Sequence, residues 1–84
     1  SEEYIDGGVL YREFLESIDK NDLDSAKLQL REFSRTRPPK EYSNDLRDQL
    51  SAAVAQMKLI EKQKQAEAKE EARKAKEDAK KKGK

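Results

Sequence analysis

The sequence predicts an all-α protein: an antiparallel helical hairpin, then a long third helix that extends into a charged helical tail. Three observations predict it. Apolar residues recur at steps of three and four in three separate stretches, which is the spacing of one helix face. Those stretches are divided by a short polar turn, Asp19-Lys20-Asn21-Asp22, and by Pro38-Pro39. Beyond Ile60 the chain has no Leu, Ile, Val, Met, Phe, Tyr or Trp, and no helix breaker before Gly83. The expected organisation is a flexible arm over 1–7, a three-helix core module over 8–60 and a charged, solvated helical tail over 61–84.

In the first stretch Tyr11, Phe14, Leu15 and Ile18 share a face, with Leu10 beside it and Arg12, Glu13, Glu16 and Ser17 opposite. Helix 1 is expected from about Gly8 to Asp19. In the second stretch Leu23, Ala26, Leu30 and Phe33 form a single stripe, so helix 2 is expected from about Asp22 to Arg35. Asn21 or Asp22 can cap it by accepting from a free backbone N–H, and Asp24 adds negative charge to the first turn. A connection this short makes the two helices antiparallel neighbours.

Proline biases the residue before it away from helical geometry, so Arg37 and Pro38 are expected to be extended. Pro39 is suited to the first helical position, where its missing N–H has no partner to lose. Tyr42, Leu46, Leu50, Ala53, Met57 and Ile60 then continue as the longest stripe in the chain, with Val54 alongside. In the tail, Glu70–Lys74, Glu77–Lys81 and Asp78–Lys82 are acid-before-base pairs four apart, each worth about 0.2–0.5 kcal/mol in an isolated helix. Ala68, Ala72, Ala75 and Ala79 keep heptad spacing. The tail therefore reads as a solvated single helix, or else as a small-residue seam packed on a partner helix. Leu28 and Leu59 fall off their stripes. Each is either an exposed leucine or a contact, and Leu28 would touch helix 3 if helix 2 is the central element.

Asn21, Asp22, Leu23, Ala26, Leu30, Phe33 and Pro38 match the spacing of the second half of a tetratricopeptide repeat. Residues 21–38 thus resemble that family, although Phe33 is large where the family prefers a small residue. The first half departs from the pattern, with Leu10, Glu13 and Phe14 where the family has an aromatic or apolar residue, a Leu and a Gly. The resemblance implies a hairpin with repeat-like packing and a third helix that seals its open end, since one hairpin cannot bury its own apolar face.

Composition bounds what such a chain can do. Leu, Ile, Val and Phe total 15 of 84 residues, a low share that accompanies disorder only when net charge is high, and here it is +1. A core of about 60 residues buries only about 60% of its unfolded surface, which makes dependence on a partner a natural expectation. Residues 1–60 carry 9 basic and 12 acidic side chains, whereas 61–84 carry 10 basic and 6 acidic. An acidic body thus bears a basic tail. The chain has neither His nor Cys, so the commonest general base, the best nucleophile and the usual transition-metal ligands are missing. Asp19, Asp22 and Asp24 lack the glycine and closing Glu of a calcium loop and read as turn and cap residues. Gly7-Gly8 has neither the spacing nor the Lys of a phosphate loop. No catalytic, cofactor-binding or metal-binding residue is expected, and no cofactor.

The expected role is a non-enzymatic protein–protein interaction or assembly module, docking on a larger complex or on a second copy. Leu28, Arg35, Arg37, Lys40 and Leu59 are the candidate partner contacts. The alternative is a nucleic-acid or ribosome-associated protein using the basic 31–40 corner and the tail; against it, no aromatics interleave the cations as a single-strand groove would need. No apolar run approaches the roughly 20 residues that span a bilayer. A soluble protein of the cytoplasm or an organelle matrix is the expectation.

Overall fold

The computed structural model describes residues 6–82. Ser1–Ile5, most of the expected arm, and Gly83–Lys84 lie outside the described residues. Three helices follow in order: α1 (Gly7–Asp19), α2 (Leu23–Arg35) and α3 (Lys40–Lys82). α1 and α2 form the antiparallel hairpin. α3 runs back along α2, bringing Asp45 and Tyr42 beside Tyr11 near the start of α1 and Met57 beside Asn21 at its end. α2 packs on both neighbours, and α1 and α3 meet least.

Both ends of α1 and of α2 have local causes. α1 starts one residue earlier than the stripe suggests, because the Asp6 carboxylate accepts from the Gly8 N–H at 3.0 Å and caps it. It ends with Asn21 in the left-handed region (φ 61°). There the Asp22 N–H donates to the Ser17 carbonyl (2.8 Å) and the Asn21 N–H to that of Ile18 (3.0 Å). These are the two bonds that close a helix when the residue after its cap turns left-handed, a conformation Asn tolerates. Asp22 then accepts from the Ser25 N–H at 3.2 Å and caps α2, so one residue terminates one helix and starts the next.

The end of α2 repeats this geometry with one bond missing. Arg37 is left-handed (φ 54°) rather than extended, and its N–H donates to the Ser34 carbonyl at 3.2 Å. Pro38 has no N–H for the second bond. The proline still keeps Arg37 out of right-handed helical geometry, but finishing the helix favours the left-handed solution, at about 1–2 kcal/mol for a residue with a Cβ. Pro39 stands just before α3 rather than inside it, and its carbonyl accepts from the Tyr42 N–H at 3.1 Å.

The core is small and drawn from all three helices: Leu10, Phe14, Ala26, Phe33 and Leu46 are buried, with Tyr11, Ile18, Leu30 and Leu50 packed around them. The buried face of α1 is rotated from the expected one. Leu10, Phe14 and Ser17 are buried, while Leu15 lies out at 36% exposure. Ser17 is inside because it has a polar partner there, its hydroxyl lying 2.7 Å from the Gln29 side-chain amide of α2. With its amide nitrogen turned towards Ser17, the two N–H groups of Gln29 face three acceptors, the Ser17 hydroxyl and the carbonyls of Glu13 (3.1 Å) and Ser25 (3.2 Å), so this inter-helix polar contact is satisfied. Leu23, expected in the hairpin core, is half-buried at its edge. Gly7 lets the start of α1 close on the end of α2. A Cβ there would meet Thr36 Oγ1 at 3.3 Å and the Phe33 ring at 3.7 Å.

Beyond Ile60 every described side chain through Lys81 is exposed. The rod gives the molecule extents of 76 × 27 × 15 Å and a radius of gyration of 21.2 Å, against about 12 Å for a compact chain of this length. The ion pairs described in the tail are Arg73 with Glu70 and Arg73 with Glu77 (2.8 Å), rather than the expected Glu70–Lys74 and Glu77–Lys81. One planar guanidinium reaches a carboxylate on each side, which a lysine ammonium does less well. The expected Asp78–Lys82 pair rests on a side chain outside the described set. No helix among the described residues is long and apolar enough to cross a membrane.

Candidate interaction surface

The main concave surface lies between α2 and α3. Its widest part, about 590 Å³, is floored by Leu30 and Leu50, and all four titratable side chains that line it are cationic: Lys27, Arg31, Arg35 and Arg47. Helix geometry produces this line-up. Lys27, Arg31 and Arg35 repeat at steps of four, so they stack along one edge of α2. Arg47 comes from the facing edge of α3.

The hollow continues along the same seam. A second section shares Lys27 and Leu50 with the first and adds Val54 and Lys58; a third shares Lys27, Val54 and Lys58 and adds Leu23 and Met57. Together they make a trough as long as α2, about 20 Å at 1.5 Å per residue. Its charge changes along its length. The end near the α2–α3 corner is wholly basic, whereas Asp22, Asp24 and Glu61 line the end near the α1–α2 turn.

Most of the basic wall faces solvent without an anion. Among the described residues Arg35 pairs with Glu32 at 3.2 Å, a contact exposed at 70% on the arginine side. Such exposed pairs contribute about 0.2–1 kcal/mol. Lys27, Arg31 and Arg47 have no carboxylate within ion-pair distance among the described residues. The Ser34 hydroxyl, also in the lining, donates to the Leu30 carbonyl of its own helix at 2.9 Å.

Of the five candidate partner contacts the structure brings only Arg35 into this trough, together with Arg31 of the basic 31–40 corner. Arg37 sits in the left-handed link and Lys40 opens α3, both exposed at the adjoining corner. Leu28 is 56% exposed and Leu59 55%; Leu28 does not seat against α3, which meets α2 through Leu30 instead. Lys27 and Arg47 were not singled out. The four-residue repeat of Lys27, Arg31 and Arg35 was readable, whereas Arg47 joins them only through the packing of α3.

A second hollow of about 300 Å³, at the same α2–α3 corner but between α1 and the link, is lined by Gly7, Tyr11, Phe33, Pro38, Pro39 and Tyr42, with no charged side chain in its wall. Tyr11 meets Phe33 at 5.9 Å and Tyr42 edge-on at 6.3 Å between ring centroids, and its hydroxyl donates to Asp45 at 3.2 Å. Partial burial first, and Asp45 second, raise the Tyr11 phenol above its ordinary pKa. No protein-family model, curated protein or solved structure matches this chain.

Proposed function

We propose that the protein is a non-enzymatic interaction module that docks a partner protein in the α2–α3 trough, with the α3 tail acting as a solvated spacer. The observation that supports this reading is the trough itself. It combines a half-buried apolar floor with three cations that have no ion-pair partner among the described residues. Apolar floor supplies affinity, and a charged rim supplies orientation and encounter rate. In this reading α3 seals the hairpin as a terminal helix seals a repeat array, in keeping with the tetratricopeptide-like spacing of residues 21–38. Nucleic-acid binding is the weaker reading: half-buried Tyr11 and exposed Tyr42 line the other hollow, and no aromatic interleaves the cations of the basic wall.

Site-specific photo-crosslinking in cells tests the proposal. The crosslinking residue is placed at Ser51, an exposed residue of α3 that lines the middle section of the trough, at Glu16 on α1, or at Lys69 in the tail. Discrete adducts are expected at Ser51 and not at the other two positions. Equal labelling at all three sites, or none at Ser51, would reject it. The adduct's mass separates a second copy from another protein.

A further inference from the structure

We infer that the occupant of the trough is an amphipathic helix of a different protein, lying along the seam with an acidic end at Arg31, Arg35 and Arg47. The inference rests on the docking reading above and adds the partner's chemistry and direction. Three features carry it. The first is shape: a hollow about 20 Å long between two helices takes three to four turns of a third, whose side chains at i, i+3, i+4 and i+7 can reach the floor.

The second feature is the floor, which offers Leu30, Leu50, Val54 and Met57 and so calls for large apolar side chains in return. The chain's own tail cannot supply them, since beyond Ile60 its only apolar residues are alanines. Pairing with the same trough of a second copy would set one hollow against another, and the apolar side chains a copy exposes elsewhere, Val9, Leu15, Leu28 and Leu59, lie scattered over three helices rather than in one acidic-ended stripe. The third feature is charge. Every titratable group in the wide end is cationic, whereas the other end mixes the carboxylates of Asp22, Asp24 and Glu61 with Lys27 and Lys58. A helix acidic at one end and neutral or basic at the other is attracted more strongly in one direction than in the reverse, which sets its polarity on the surface.

The test uses the full chain and three synthetic 16-residue helical peptides. All carry one face of positions spaced three and four apart. In the first that face is Leu and one half of the peptide bears Glu; in the second Lys replaces each Glu; in the third Ser replaces each Leu. Binding is followed by fluorescence anisotropy at low salt, with a single-stranded oligonucleotide in parallel.

The Glu–Leu peptide should bind at least about ten-fold more tightly than either variant. The double substitution Arg31→Glu and Arg47→Glu should invert the Glu–Lys preference. Both arginines are exposed, so an unchanged melting temperature will show that the variant is folded. A spin label on the acidic end should broaden the amide signals of Arg35 and Arg47 more than that of Lys58. Equal binding of the Glu and Lys peptides overturns the inference, as does tighter binding of the oligonucleotide with a steep salt dependence. If Ser51 crosslinks a partner while the Glu–Leu peptide fails, the docking function stands and the acidic helix falls.

Discussion

At the scale of single residues, two side chains of similar type have very different weight. Phe33 is buried at 5% exposure between Tyr11 and the backbone of Gly7, whereas Leu28, five residues earlier on the same helix, is 56% exposed. Phe33→Ala removes a ring around which the core cannot easily collapse, because Gly7 and Thr36 already hold the ends of α1 and α2 close. It should cost about 3–5 kcal/mol in chemical denaturation, while Leu28→Ala should cost under about 0.5 kcal/mol. Similar losses for the two would contradict the packing described here. The same scale shows where periodicity misleads. Ser17 looks like a surface residue by type, and Leu15 like a core residue. In the fold the two are reversed, and the hydrogen bond between Ser17 and Gln29 makes the burial of Ser17 tolerable, since a polar side chain is accepted inside when its partner is inside as well.

At the scale of helices, capping hydrogen bonds define the ends. Asp22 joins α1 to α2, and hydrogen bonds from the side chain and then the main chain of Ser25 hold its carboxyl below the ordinary carboxylate range. A depressed folded-state pKa stabilises fully above the unfolded value of about 3.9 and ceases to do so as pH falls through the folded value. Thermal unfolding should therefore fall more steeply below about pH 4 for the natural chain than for Asp22→Asn, which keeps a capping oxygen but does not titrate. Parallel curves for the two proteins would show that the cap carboxylate contributes no pH dependence. Helix existence and the turn were legible at this scale, because cap residues, stripes and prolines are local signals. The left-handed Arg37 was not, since the bias a proline imposes leaves open which non-helical basin is taken.

At the scale of the whole molecule, a three-helix body and an exposed rod divide the chain near Ile60. Among the described side chains, truncation after Ile60 removes only exposed ones, so the melting temperature should move by less than about 4 °C, the equivalent of under about 1 kcal/mol. The radius of gyration from X-ray scattering should drop from 21.2 Å towards the roughly 10 Å of a compact chain of that size. A large loss of stability, or a loss of oligomer mass, would instead reveal a tail packed through Ala68, Ala72, Ala75 and Ala79.

What this sequence determined by itself is the set of local choices: three helices, where two of them start and stop, an antiparallel hairpin, and a tail with nothing large enough to bury. These follow from interactions between residues within about five positions of one another, which periodicity and capping express directly. Tertiary structure decided the rotation of α1 that buries Ser17 and exposes Leu15, and the seating of Leu46 in the hairpin core. It also decided the meeting of Lys27, Arg31 and Arg35 with Arg47 across a leucine floor. That trough is a property of two helices at once. Neither helix carries it alone, so it exists only once α3 has folded back along α2.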